Sequence, residues 1–174
     1  MFNLYKKVNV FLALAVLSAC GGGSDPEPAP VVIADPPIID VPDTPVGCNN
    51  VQYQIVAVTD DGLFNADYSP ANTIDGNTAP DSRWSSEGVA QEIIFDLGTI
   101  NPIGSLKVKW HNGAERQANF SIETSSDNSV WQSVLAESTS SGRHSGFEQV
   151  NLTSSVARYV KIIGMGNSQN EWNS

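Results

Sequence analysis

Residues 72–84 concentrate the side chains of this chain that could bind a metal ion. Oxygen-bearing residues and turn formers lie there between two apolar residues, Ile74 and Trp84, as in a loop held to a core at both ends. Ca²⁺ prefers about six to eight oxygen ligands, and the loop offers oxygens on Asp75, Asn77, Asp81 and Ser82. The spacing is not that of an EF-hand, which requires Gly and Glu where this loop has neither. Two interpretations remain open, a calcium site and a loop of Asx turns without an ion.

The elements that must position this loop are β-strands. Apolar and polar residues alternate with a period of two, as where Leu106, Val108 and Trp110 share one face and lysines take the other. The pattern predicts strands over residues 52–58, 91–97, 105–110, 119–124, 130–135, 147–152 and 158–163. Helical periodicity is missing apart from one turn near residues 70–74. Short strands at this spacing predict an all-β sandwich, built from residues 48–174.

Residues 1–19 predict a signal peptide that is removed from the mature protein. Lys6 and Lys7 precede an apolar run that is far shorter than the ~20 residues needed to span a bilayer. The run ends in Leu-Ser-Ala-Cys, which resembles a bacterial lipobox and implies lipidation of Cys20 and an outer-membrane lipoprotein, at the cell surface or on the periplasmic face. The alternative is an ordinary signal peptide followed by a chance cysteine.

Residues 20–47, which begin with Cys20, are expected to form an extended linker. The segment holds seven of the ten prolines, five acidic residues and no basic residue. Such a composition cannot bury enough apolar surface to offset the entropy of ordering the chain. In polyproline II geometry the linker could hold a domain up to about 80 Å from the membrane, a reach that suits a polymeric partner.

The charge of residues 48–174 argues against nucleic acid as a partner. Seven basic residues stand against fourteen acidic ones, whereas phosphate binding needs a basic face.

Motifs of serine hydrolases, zinc proteases and P-loop enzymes are missing, and the two histidines lie on separate loops. We therefore expect a non-catalytic domain. We also expect the domain to be monomeric. Cys48 is left without an assigned role.

Five motifs in order resemble the coagulation factor 5/8 type C (discoidin) domain and its bacterial relatives, the family 32 carbohydrate-binding modules. They lie at residues 70–77, 82–85, 95–98, 125–131 and 157–162. The resemblance implies a discoidin-like jelly-roll sandwich of eight strands, in which Trp84 and Trp131 occupy core positions. Residues 164–174 further resemble the version of the module attached to bacterial alginate lyases and related polysaccharide lyases.

The resemblance also implies a structural Ca²⁺ in the loop described first. By match, its ligands would be the carbonyls of Thr73 and Asn77, the carboxylate of Asp75 and an oxygen of Ser82. Family members add a glutamate from their last strand, which would begin after Ser174. The sandwich is therefore expected to lack its last strand within these residues, which favours a fragment of a longer protein.

For sugar binding, the resemblance implies a shallow site on loops at one end of the sandwich. An acidic sugar such as a residue of alginate needs a cation for its carboxylate, and arginine can bind one bidentately. The candidate residues are His111, Asn112, Glu115, Arg116, Asn170 and Trp172, with Arg143 and His144 as a second tier. Alternatively, His111 and Arg116 are ordinary solvated hairpin residues.

Two functions are therefore expected for the chain. The first is a membrane-tethered module that binds an acidic polysaccharide such as alginate. The second is the targeting part of a lipoprotein polysaccharide lyase whose catalytic domain follows Ser174. A discoidin-like adhesion domain that binds protein or lipid is a more distant third.

Overall fold

The computed structural model describes residues 51–174 and, as backbone, residues 14–16. The signal peptide, Cys20, the linker and Cys48 lie outside the described residues, except for that short backbone segment. None of the helices in the described part of the chain has the length and apolar character needed to cross a membrane.

The described residues form antiparallel strands and one short helical turn. The strands are β1 (Leu14–Val16), β2 (Val51–Tyr53), β3 (Ala57–Asp60), β4 (Ser86–Glu87), β5 (Gln91–Val108), β6 (Ala118–Ser125), β7 (Gln132–Thr139), β8 (Glu148–Asn167) and β9 (Trp172–Asn173). A 3₁₀ helix covers Pro70–Thr73, where the sequence predicted one helical turn. The predicted all-β fold class is confirmed.

One five-stranded sheet, in the order β3-β5-β8-β6-β7, carries the fold. Two small sheets flank it: β1 pairs with β2, and β4 pairs with β9. The β4–β9 pair joins the C-terminal residues to the segment that follows Trp84, through the register pairs Ser86 with Asn173 and Glu87 with Trp172. This pairing brings two distant parts of the chain to one end of the fold.

Two predicted strand breaks are wrong. Residues 91–97 and 105–110 were expected as separate strands but belong largely to β5, and residues 147–152 and 158–163 likewise belong largely to β8. The turn signals between them form bulges, since the β5–β8 register shifts between Asp96 and Asn101. Gly98 has φ 77°, and its N–H donates to the Asp96 carboxylate at 2.7 Å. A local kink therefore replaces a chain reversal. Conversely, residues 52–58 are split between β2 and β3.

The alternating residues of the strands form the core. Ile122 and Val160 are fully buried in the large sheet, and Ile103 and Leu106 are buried from the second half of β5. Burying each such side chain contributes roughly 1.5–3 kcal/mol. Trp84 is also buried, and its indole N–H donates to Asp60 Oδ2 at 2.8 Å.

Trp110 packs against this core, as its alternation predicted, with its ring centroid 4.7 Å from that of Phe120. A cleft of about 450 Å³ remains beside these rings, lined by both halves of β5 and by β8.

Trp131 is not part of the core, contrary to the prediction from its motif. It is half-buried and covers Lys161, whose Nζ lies 4.4 Å from the ring centroid. Lys161 bridges neighbouring strands through ion pairs with Glu92 at 3.2 Å and Glu123 at 2.9 Å. The side chain at position 131 therefore shields a charged cross-strand cluster.

Candidate functional site

Loops at one end of the fold line an open cavity of about 220 Å³. Its walls are formed by Asn65, Tyr68, Arg83, Ser85, His111, Arg116, Asn170, Trp172 and Ser174. Four of the six residues predicted for sugar binding thus come together, namely His111, Arg116, Asn170 and Trp172. Sequence reasoning did not assign the remaining five residues to a binding site.

The turn after Trp110 shapes one wall of the cavity. The carbonyl of Asn112 accepts hydrogen bonds from the N–H groups of Glu115 at 2.8 Å and Arg116 at 3.1 Å, with Asn112 at φ 54°. This turn directs Arg116 into the cavity, while Asn112 and Glu115 are exposed and line the neighbouring cleft instead. The structure therefore does not gather these two predicted residues with the other four.

The second-tier residues Arg143 and His144 do not line the cavity. His144 supports the turn from behind, since its N–H donates to the Gly113 carbonyl at 3.2 Å. A Cβ added to Gly113 would lie only 2.6 Å from the His144 carbonyl oxygen, so this close approach requires glycine.

Arg116 is held by two hydrogen bonds at the rim of the turn. Its Nε donates to the His111 carbonyl at 3.1 Å, and its Nη2 donates to Ser174 Oγ at 2.9 Å. The N–H of His111 donates in turn to the Ser174 carbonyl at 3.2 Å. The loop and the C-terminal segment therefore fix this guanidinium together.

Arg83 also lines the cavity. Its guanidinium carbon lies 3.5 Å from the centroid of the Tyr68 ring, and its Nη1 donates to the Pro80 carbonyl at 2.6 Å. The Asn72 amide donates to the Arg83 carbonyl at 3.1 Å. Within the described residues, the buried Nε of Arg83 has no hydrogen-bond partner.

The walls of the cavity contain two arginines and no acidic residue, although the domain as a whole is acidic. Burial lowers the pKa of His111, and the charges of Arg83 and Arg116 lower it further, against an opposing effect of Glu115. Burial and the charge of Arg83 also lower the pKa of Arg116. The site is therefore suited to a small anion.

Trp172 gives the cavity an aromatic wall, and Asn173 holds it in place. Asn173 is buried, and its Nδ2 donates to the carbonyls of Ser86 at 3.1 Å and Gly88 at 2.7 Å. Its Oδ1 accepts from the N–H of Gly166 at 2.6 Å. The Asn173 side chain thus joins β9 to β4 and to β8.

Asn170 is placed at the same end, but its oxygen is already used by the turn. Its Oδ1 accepts from Asn167 Nδ2 at 2.6 Å and from the N–H of Trp172 at 3.1 Å. Its amide nitrogen donates no hydrogen bond within residues 51–174, so it is the part of Asn170 that a ligand could use.

In the predicted calcium loop, the side chains of Asp75 and Ser82 meet. The Ser82 hydroxyl donates to Asp75 Oδ2, and Asp75 Oδ1 accepts from the N–H of Asn77 at 2.7 Å. Among the described residues, the carbonyls of Thr73 and Asn77 accept no hydrogen bond, whereas those of Ala79 and Pro80 do.

The four predicted ligands therefore offer one carboxylate, one hydroxyl and two free carbonyls, all oxygens of the kind Ca²⁺ prefers. No group of three or more His, Cys, Asp or Glu side chains with metal-ligand geometry occurs in residues 51–174. These oxygens are of a type that fits Ca²⁺, and the loop is also held by two Asx turns, because Asp75 Oδ1 accepts from the N–H of Asn77 and Asn77 Oδ1 accepts from the N–H of Ala79 at 3.0 Å.

Comparison with known proteins identifies the kind of domain. A family model described as the F5/8 type C domain matches residues 54–174. The family 32 carbohydrate-binding module (CBM32) of AlyQ, solved in complex with 4,5-unsaturated mannuronic acid, is 42% identical, with 71% of this chain and 92% of that chain covered and a TM-score of 0.65. Curated protein sequences yielded no match.

Two further structures extend the comparison. Truncated AlyQ with its CBM32 and alginate lyase domains is 42% identical at a TM-score of 0.66, with 71% of this chain but only 31% of that chain covered. A pectin-binding carbohydrate-binding module is 28% identical at a TM-score of 0.64, with 70% of this chain and 86% of that chain covered.

Proposed function

This chain belongs to the F5/8 type C domain family, and from that premise we propose that it binds an acidic polysaccharide of the alginate type. The described domain is a carbohydrate-binding module and is not catalytic. The observation that supports an acidic ligand is the cavity with two arginines and no acidic side chain.

Each part of this cavity matches a part of a uronic acid residue. The guanidinium of Arg116 suits the carboxylate, because arginine presents donors in a planar fork. The Trp172 ring offers an apolar surface for the C–H face of a pyranose, and Asn170 offers an amide donor. A volume of about 220 Å³ is below the roughly 300–1,000 Å³ of sites for drug-sized ligands, which fits a single sugar residue.

Calcium, the lipid anchor and the linker complete the proposal. A Ca²⁺ ion held by Thr73, Asp75, Asn77 and Ser82 would stabilise the loop that leads into Arg83. Lipid on Cys20 and the linker of residues 20–47 would place a monomeric module at the outer membrane with reach towards a polymer. Single-site affinity should be modest, micromolar to millimolar, or ~4–8 kcal/mol.

Affinity electrophoresis in gels containing alginate tests the proposal. The wild-type protein should migrate more slowly than in a plain gel, and the Arg116→Ala and Trp172→Ala variants should lose this retardation. Arg143→Ala is the matched control, because it removes the same charge from a loop outside the cavity. Unchanged wild-type mobility across a panel of acidic marine and plant polysaccharides would contradict the proposal.

A second candidate function is the targeting part of an alginate lyase. The observation that favours it is the 42% identity to a module that shares a chain with an alginate lyase domain. The coding DNA after the codon for Ser174 tests this directly. An open reading frame that encodes a second domain supports it, and an immediate stop codon excludes it.

A further inference from the structure

Arg83 and Arg116 share one cavity without an acidic partner. Across residues 51–174, ion pairs join Arg158 to Asp96 and Lys161 to two glutamates, and neither cavity arginine takes part in one. Burial lowers the pKa of Arg116, and the charge of Arg83 lowers it further. Such an arrangement is typical of a site that binds the opposite charge.

The two guanidinium groups are held in place without using all their donors. An arginine offers five N–H donors. Arg83 uses only one of its two Nη1 donors, in the hydrogen bond to the Pro80 carbonyl, and its buried Nε has no partner within the described residues. Arg116 uses Nε and Nη2 for the His111 carbonyl and Ser174. Both groups therefore keep donors for a ligand.

We propose that Arg83 is a second carboxylate-binding residue that acts with Arg116 on the same uronate, an inference that rests on the proposed function. Both arginines line a cavity sized for one sugar residue, so the proposal places its carboxylate between the two guanidinium groups. The pair then makes a negative charge on that sugar the main determinant of specificity, because a carboxylate accepts charge-assisted hydrogen bonds from both half-buried guanidinium groups and a neutral sugar does not.

Preorganisation explains why arginine suits position 83 better than lysine. The Tyr68 ring and the Pro80 carbonyl fix the guanidinium before any ligand arrives, so little side-chain entropy is lost on binding. Lysine keeps the charge but has neither the planar fork nor the stacked geometry. The Arg83→Lys variant should therefore bind more weakly than wild type and more tightly than Arg83→Gln.

Calorimetric titration with a mannuronate trisaccharide and with its carboxyl-reduced, neutral counterpart tests the assignment. Arg83→Gln should weaken binding of the acidic trisaccharide about 10- to 100-fold, the effect of one charge-assisted contact, and leave the weak binding of the neutral one unchanged. Arg143→Ala, the control of equal charge change, should retain the wild-type preference. The Arg83→Gln, Arg116→Ala double variant should lose less than the sum of the single losses, because both side chains bind one carboxylate.

The outcomes separate this inference from the proposed function. If wild type binds neither trisaccharide, the proposed function fails. If wild type prefers the acidic trisaccharide and Arg83→Gln or Arg83→Lys keeps the full preference, the role of Arg83 is wrong and the function stands. An equal loss for both sugars would show that Arg83 only supports the fold. Thermal unfolding of each variant identifies misfolding, and Arg83→Lys then carries the test since it retains the charge.

Discussion

Replacement of Gly164 by alanine should detach the C-terminal wall of the binding cavity. A Cβ at this position would lie 2.3 Å from Oδ1 and 2.6 Å from Cγ of Asn173, so that side chain must leave its place. Asn173 would then lose its bonds to Ser86, Gly88 and Gly166. At about 1 kcal/mol for each of these bonds, the free energy of unfolding should fall by about 3 kcal/mol.

For a domain of this size, such a loss lowers Tm by roughly 10 °C, which differential scanning calorimetry can measure. Affinity for alginate should fall as well, because Trp172 and Ser174 adjoin Asn173 and line the cavity. Gly146→Ala is the matched control, since no atom lies within 4 Å of the added Cβ, and its Tm should equal or slightly exceed that of wild type. A Gly164→Ala variant that melts with wild type would refute this role of Asn173.

Three other predictions concern calcium, pH and the opposite face of the sheet. Chelation with EDTA should lower the Tm of the wild-type protein and added Ca²⁺ should restore it, whereas the Tm of Asp75→Asn should respond to neither treatment. A wild-type Tm that changes with neither treatment would argue against the calcium site. Burial holds the pKa of folded His111 below its usual 6.5, so the unfolded chain takes up the proton first as the pH falls. The stability contributed by His111 should therefore be fully present above about pH 6.5 and be lost as the pH drops through the folded pKa. In a series of urea-unfolding measurements at different pH, His111→Gln should show a weaker pH dependence of the unfolding free energy than wild type, and an equal dependence would contradict this. Trp131→Ala should reduce stability by about 1–2 kcal/mol by uncovering Lys161 while leaving alginate affinity unchanged, and a loss of affinity would relocate the site.

The sequence predicts the strands well where alternation is strict and poorly where the chain bends. The turn signals at Gly98 and after Leu152 do not end strands, because β5 and β8 are held together on both sides of each bulge. Local signals cannot report this, since the paired residues of the two strands lie forty or more residues apart in the sequence. Trp131 is a similar case: its motif indicates burial, but which face of the sheet it covers depends on Lys161 and its glutamates.

The candidate site was predictable in part. The resemblance implied a sugar site that includes His111, Arg116 and Trp172, and the fold brings these three residues to one cavity. Arg83 was missed because it stands between a loop serine and a buried tryptophan, in a motif interpreted as packing. Its role depends on the Tyr68 ring and on the lack of an acidic neighbour in the cavity, and both are properties of the folded chain.

Indole N–H signals in a ¹H–¹⁵N NMR titration with a mannuronate trisaccharide provide the most direct measurement of the central claim. The four tryptophans report on different places: Trp84 and Trp110 on the core, Trp131 on the outer face of the sheet, and Trp172 on the cavity. The Trp172 signal should shift together with the Nε–H signals of Arg83 and Arg116. Shifts at Trp131 with none at Trp172, or no shifts at all, would contradict a uronate site in this cavity.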